Sequence, residues 1–390
     1  MVLSAFMHRN TLFEICNRWL SNDLHPDDAL QITKIIAFDG FAAWHTLLRL
    51  YDRINAVLHH PGRVTSYDIA SKKDLKDYFG RVANPASVEI RALIDEYRRT
   101  PEFFFTGSPI VGRVGLDADN HLVSICRIKR IRRIAEKASR YAAAAVFERV
   151  VAAARRIDGA VGRNGLDPGQ IPADVLLAAE KNVMEAIRRN GLRLPREPMT
   201  IKDVLGIKVI DSRMDEQRFE AAVEDHAIAR IVGKKRHSGR YNAVHYVLEL
   251  EVDPDDILRS LQAGQLDRSL SKRGLNHGNH LETFQAFMQS GDPTIQVDAI
   301  LTSFPELVHS EIGRSMHEVR ITRQRQESAV YGNIPTNIEF IIEYLFAVAM
   351  SPTTQVGEIP IKLWGRYLPD ALSYNVRNLY QIKEFTLVSV

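Results

Sequence analysis

Seven basic side chains crowd the stretch from Arg127 to Arg140: Arg127, Lys129, Arg130, Arg132, Arg133, Lys137 and Arg140, with Glu136 as the one acid among them. Strand periodicity points Arg127 and Lys129 to one side. A helix beginning near Arg130 places Arg133, Lys137 and Arg140 on one face. Such a strand-to-helix turn suits a polyphosphate: the helix N-terminus offers amide donors and a favourable dipole, and arginine grips phosphate with two N–H groups. A solvated basic helix is the plainer use of the same residues. A second basic run, IVGKKRHSGRY at 231–241, carries Lys234, Lys235, Arg236 and Arg240 without an acid. Gly233 and Gly239 permit a loop folded closely over a ligand. Tyr241 then heads a strand, where its ring is placed to stack on a base. A nucleotide and a polynucleotide would use these materials equally, and a surface loop before a core tyrosine is the bland alternative.

Two carboxylates stand in apolar strands: Asp203 near the start of IKDVLGIKVI, and Glu318 in MHEVRIT. A carboxylate in a core strand is costly unless it is paired or metal-bound. If the strands adjoin, the two could share one Mg²⁺, which takes few protein carboxylates and completes its shell with substrate phosphates. An ion pair between Glu318 and Arg320, which share a strand face, is the competing use.

The elements that must position these groups follow from periodicity. Residues 1–104 read as a helical N-terminal domain, with apolar helical spacing at 29–38, 41–56 and 87–99. His25, His59 and His60 fall there, with no His-Asp pair or HExxH accompanying them, and read as surface or helix-end histidines. A β-hairpin is expected from 110–116 and 121–129 around DADN, then helices at 130–157 and 173–189, the latter within a helical insertion at about 141–198. Strands are expected at 201–210, 241–251 and 317–322, and helices at 215–231, 254–261, 282–288 and 337–350. Residues 105–335 thus form an α+β core with strands separated by helices. Residues 336–390 read as C-terminal helices and a final strand, FTLVSV, packed on that core.

These pieces stand in the order of a known family. The chain resembles the RelA/SpoT synthetases, which transfer pyrophosphate from ATP to the 3′-hydroxyl of GDP or GTP. RIKRIRRIAEK is similar to the family's first motif, with Arg127, Lys129, Ile134 and Lys137 in register and Arg133 in place of a serine. DVLGIK resembles the second, with Asp203 at the metal-binding aspartate and Lys208 for an arginine. GRYNAVH resembles the third, with Tyr241 at the tyrosine that stacks on the acceptor guanine, and His245. EVRITR resembles the fourth, with Glu318 at the catalytic glutamate, and QESAVYG follows as the family's Ala-Glu-x-Gly region does. The resemblance covers roughly 127–140 and 200–335.

The resemblance implies a nucleotidyltransferase-like mixed sheet flanked by helices. It also implies a Mg²⁺-dependent pyrophosphokinase with catalytic Glu318, Asp203 and Lys129. Asp203 and Glu318 would hold the metal. Arg127, Lys129, Arg133, Lys137, Lys235, Arg236, Tyr241 and His245 would bind ATP and the acceptor. The departures fall mostly on the acceptor side: Gly239-Arg240 replaces Asn-Gly, and Ala243 replaces a serine. GDP or GTP is the first expectation for the acceptor. An adenine nucleotide or the 3′ end of tRNA is the alternative, as is an inactive nucleotide- or RNA-binding relative.

Composition excludes other classes. The 390 residues are 45% apolar and 25% charged, which is ordinary for a globular chain. A formal charge of +3 does not itself demand nucleic acid. The two cysteines, Cys16 and Cys126, cannot build a disulfide scaffold or a cysteine zinc site. GxxxxGK[ST] and GxGxxG are both absent from the sequence. The N-terminus lacks a signal peptide's basic start, and the longest apolar run, 340–350, contains Glu343. A cytoplasmic protein with no membrane association is expected; the sequence leaves homo-oligomerisation open.

Overall fold

The computed structural model describes residues 1–59, 62–104, 106, 109–160, 171–197, 199–239, 241–261, 280–313, 332–351, 353, 355–363, 365 and 369–382. Among these, the chain opens with β1 (Val2–Leu3), α1 (Arg9–Leu20) and α2 (Asp28–Lys34). A π-helical turn (Ile35–Asp39) runs into α3 (Gly40–His59). Next come β2 (Thr65–Ser71), α4 (Lys72–Phe79), α5 (Val88–Arg99), β3 (Pro109–Leu116), β4 (Leu122–Ile128), α6 (Ile131–Ala160) and α7 (Ala173–Asn190). The second half holds β5 (Thr200–Ile201), β6 (Leu205–Ile210), α8 (Glu216–Glu224), β7 (Arg230–His237), β8 (Ala243–Glu251), α9 (Pro254–Ser260), α10 (His280–Gln289), β9 (Thr294–Thr302), α11 (Phe304–Glu311), α12 (Asn333–Val348) and α13 (Pro369–Leu379).

The fold is mixed α+β. Among the described residues, seven strands form one sheet in the order β2-β3-β4-β6-β9-β8-β7. The β6–β9 pair is parallel and the other neighbours are antiparallel. β1 and β5 form a separate parallel pair. Local chemistry sets several boundaries. In the β3–β4 turn, Asp117 Oδ1 accepts the N–H groups of Asp119 and His121 at 3.0 and 2.8 Å, and Asn120 takes a positive φ of 62°, as Asx-type turns favour. Ser71 and Asp74 make a reciprocal capping box on α4. Ser87, Asp215, Asp253 and Ser303 cap α5, α8, α9 and α11.

Period-two alternation divides the sheet into two unlike faces. On one, Cys126, Ile207, Val209, Val244, Tyr246, Leu248, Val297, Ala299 and Leu301 are buried in the main core with residues of α1, α3, α6 and α12. On the other, Ile69, Val114, Ile125 and Ile210 are covered by Leu75 and Phe79 of α4, Ile90 and Ile94 of α5, and Phe304, Leu307 and Val308 of α11. Beyond that cover the second face turns polar. Arg127, Gly206, Asp298, Ile300, His245 and Val247 there are only partly buried. α6 and α7 pack on each other through Val150, Ala153, Ala154 and Ala179.

Three observations differ from the sequence expectations. Residues 1–104, expected as a helical unit ahead of the sheet, supply β2 to its edge and α3 to its core; Thr65–Ser71 hid because its burial is low on both sides. The basic run at 231–241, expected as a loop, is largely the edge strand β7. β9 and α11 were not anticipated, although TIQVDAILT alternates well. The strand expected at 317–322 and the final FTLVSV lie outside the described residues. Among the described residues, no helix is long and apolar enough to cross a membrane.

Candidate functional site

The end of β4 and the entry to β6 are tied by the Lys129 N–H, which donates to the Val204 carbonyl at 2.8 Å. This bond sets Lys129 beside Asp203. Two residues later α6 begins, and its second turn brings Lys137 to the same carboxylate: Lys137 Nζ donates to Asp203 Oδ1 at 2.9 Å, while Lys129 pairs with Oδ2. Asp203 remains 34% exposed. Lys137 Nζ also lies 5.4 Å from the centre of the Tyr141 ring, within cation–π range.

Burial pulls the Lys129 ammonium down to about 8; Asp203 opposes that shift, and the neighbouring Lys137 and Arg127 charges add to it. Burial also disfavours charge on Lys137, but Asp203 and Tyr141 outweigh it and hold its pKa above the ordinary value. Burial alone would raise Asp203; the two lysines reverse the sign and hold the carboxyl well below its usual range. The three groups form one coupled cationic cluster around a single carboxylate.

Arg127 connects this cluster to a second one. Its Nη1 lies 3.5 Å from Glu311 Oε1, and Lys208 Nζ donates to that same oxygen at 2.8 Å. Glu311 is delivered from above by the last turn of α11, and its side chain is only 2% exposed. Burial lowers the Lys208 pKa, Glu311 opposes this and Arg127 adds to it. In the ladder, Arg127 is level with Gly206, and Gly206 is level with Asp298 of β9. Asp298 Oδ1 lies 3.8 Å from His245 Nδ1. The His245 ring meets His237 edge-on with centres 4.6 Å apart. Burial pushes the Tyr241 phenol up to about 12, with Glu311 and Glu306 adding and Thr302 and Arg127 opposing. These charges act on Tyr241, which precedes by two residues Ala243, the ladder partner of Thr302.

The residues named from sequence divide accordingly. Arg127, Lys129, Lys137 and Asp203 are brought together, and Tyr241 and His245 stand with Arg127, Glu311 and Asp298. Arg133 pairs with Glu136, which also holds Arg140 at 2.5 Å, so these two arginines meet Glu136 while Lys137 meets Asp203. Arg236 pairs with Glu216 on α8, and Lys234 with Glu216 and Glu220. Alternation along β7 puts these two on the side opposite His245. Lys235 is exposed and level with His245 in the ladder. Glu318 lies outside the described residues.

Asp298 and Glu311 were missed. The signal for Asp298 was a lone acid at a face position of an alternating strand, the same one that drew attention to Asp203. Glu311 gives none, because an acid ending an amphipathic helix is commonplace. Among the described residues, the one group of three metal-type ligands lying close together is Asp117, Asp119 and His121, on the β3–β4 turn. Comparison with protein-family models, curated proteins and solved structures finds no match.

Proposed function

We propose that the chain is a pyrophosphokinase of nucleotidyltransferase-like fold, which moves the β,γ-pyrophosphate of ATP to the 3′-hydroxyl of GDP or GTP and releases AMP. The observation that carries this reading is Asp203 held between Lys129 and Lys137 with Arg127 alongside, at the edge of an open polar sheet face. Lysines clustered around a partly exposed carboxylate can turn to the oxygens of a polyphosphate, and Arg127 presents a planar fork to the same group.

Carboxylate oxygen is the donor that Mg²⁺ prefers, and Asp203 is accessible enough to provide it. Asp203 would hold the ion, with Glu318 as the second ligand that the resemblance implies. When bound, Mg²⁺ neutralises phosphate charge. Lys129, Lys137 and Arg127 orient the β-phosphorus and stabilise charge on its oxygens. Tyr241 takes the acceptor base, and Lys235 and His245 line the approach beside it. The bond from the acceptor 3′-oxygen to the β-phosphorus forms, the bond from that phosphorus to the α,β-bridging oxygen breaks, and AMP leaves with that oxygen. The hydroxyl proton goes to a carboxylate. The resemblance assigns this to Glu318, and the position of Asp298 beside Gly206 makes it the competing base.

The test uses ATP labelled at the β-phosphate, Mg²⁺, and separate tubes of GDP, GTP, ADP, ATP and deacylated tRNA. Label should move to GDP or GTP. Arg127→Ala and Lys129→Ala should each lower turnover by a few hundred-fold, as loss of one transition-state donor does at about 3–4 kcal/mol. Near-normal turnover in both variants would remove this assignment. Label in an adenine nucleotide or tRNA would keep the chemistry and change the acceptor.

A further inference from the structure

A different constellation forms where the N-terminal segment meets the loop before β9. His8 immediately precedes α1, Asp39 ends the π-helical turn before α3, and Ser290 follows α10. Asp39 receives His8 twice: Oδ2 accepts the His8 backbone N–H at 2.9 Å, and Oδ1 lies 3.0 Å from the ring Nδ1. A carboxylate at Nδ1 selects the tautomer carrying its hydrogen there, leaving the Nε2 lone pair free to accept. That Nε2 is 3.2 Å from Ser290 Oγ.

The arrangement is tightly held. Phe287 stacks on the His8 ring with centres 3.7 Å apart. Asp39 is buried at 1% exposure, whereas Ser290 is exposed. A Cβ on Gly291 would stand 2.9 Å from His8 Cε1 and 2.7 Å from Met7 Cβ, so only glycine lets the serine loop lie against the histidine. π-helical turns, such as the one carrying Asp39, are frequent at functional sites. A nucleophile within reach of a base that is itself oriented by a third group is the signature of an activated serine, whatever the order in sequence.

We propose that Ser290, His8 and Asp39 form a nucleophilic serine site that cleaves small carboxylic esters. Ser290 Oγ attacks the ester carbonyl carbon and passes its proton to His8 Nε2. The carbon–oxygen bond to the alcohol breaks, and the alcohol leaves with that proton. Water then attacks the acyl-serine, gives up a proton through His8, and releases the carboxylic acid with Ser290 restored. Asp39 positions His8 and stabilises its charged form. Ser290 Oγ also lies 2.9 Å from the Phe287 carbonyl, to which it can donate. Both acceptors surround the same oxygen, so turning the O–H bond toward His8 requires no heavy-atom movement. The open setting of Ser290 suits a short acyl group. The proposal is independent of the nucleotide reading.

The full chain is treated with p-nitrophenyl acetate and, separately, with a fluorophosphonate, and adducts are mapped by peptide mass spectrometry. The expected result is an adduct on Ser290, absent in Ser290→Ala, with ester hydrolysis lowered about 10²-fold in that variant. Ser290 is exposed, so its alanine variant should fold, which circular dichroism checks. His8→Gln should slow acylation comparably while leaving Ser290 in place. An unmodified Ser290 in the wild-type chain, or equal hydrolysis by Ser290→Ala, would overturn the proposal and leave the three residues as a packing staple. Pyrophosphoryl transfer by Ser290→Ala should match wild type, so the two activities fail separately.

Discussion

Lys129 offers a direct test of the electrostatics at Asp203. An ordinary lysine, with its pKa near 10.4, is about 0.4% neutral at pH 8. With its pKa pulled down to about 8, Lys129 is about half neutral there. Its free amine is then about a hundredfold more abundant than that of an ordinary surface lysine. Trace acetylation across a pH series, read by peptide mass spectrometry, should give a titration for Lys129 centred near 8, well below the other lysines. Asp203→Asn is the informative variant. Asp203 opposes the downward pull of burial, Lys137 and Arg127, so its loss should move the titration lower still. Bound ATP should do the reverse, since phosphate oxygens favour the ammonium, and should suppress acetylation at pH 8. A Lys129 titration above 10, or an upward shift in Asp203→Asn, would refute this account of the cluster. A titration near 8 without protection by ATP would spare the electrostatics and count against the phosphate role.

Three further outcomes are expected. Asp298→Asn and Glu318→Gln should separate the competing bases: the true one loses transfer by about 10²–10⁴-fold with little change in unfolding midpoint, and wild-type activity in both variants would exclude both residues. Glu311→Gln should destabilise the fold by about 3–5 kcal/mol in urea titrations, because it leaves Lys208 buried without its carboxylate; a loss below about 0.5 kcal/mol would show that Lys208 finds other solvation. Gly115→Ala should cost about 1–3 kcal/mol, because the added carbon runs into Ser124, the Tyr51 hydroxyl and Val64. An unchanged urea midpoint there would contradict the close approach of β3 to α3.

Much of the helical scaffold and the β3–β4 hairpin is legible from periodicity and turn residues. Ile131–Ala160 and Ala173–Asn190 follow helical spacing, and the DADN turn marks its hairpin. What escaped has physical causes. Thr65–Ser71 is an edge strand with a largely exposed surface, so it lacks the apolar alternation that identifies a strand. β7 was hidden by its charges, yet an edge strand is where lysines and arginines are tolerated. At the site, spacing sets Arg127 and Lys129 together, and the structure holds both close enough for their charges to act on each other. Spacing does not record that Arg133 pairs with Glu136, because which acid a helix residue meets depends on the neighbouring side chains. The meeting of His8, Asp39 and Ser290 was illegible for a related reason: nothing in three separate segments records that the fold joins them.

The polar face at Arg127, Lys208 and Asp298 also bears on why these residues are there. Central strands of a sheet commonly bury apolar side chains, and a buried ion pair such as Lys208–Glu311 is seldom the most stable filling of its space. Burial weakens the charged forms of both Lys129 and Lys208. The fold thus holds two ammonium groups where their charge is disfavoured, at neighbouring points on one sheet face linked by Arg127. By linkage, a ligand that favours the charged form takes up a proton on binding, so it binds more tightly as pH falls through about 8. An anion with several phosphates is such a ligand; a neutral ligand is not, and a cation would worsen the repulsion unless it arrived with its own anion. The electrostatic cost built into the site therefore favours Mg²⁺ and ATP arriving as a complex over free Mg²⁺ binding first. Isothermal titration should accordingly detect weak Mg²⁺ binding alone and much stronger binding of Mg²⁺ with a non-hydrolysable ATP analogue. Tight binding of Mg²⁺ by itself would contradict the argument.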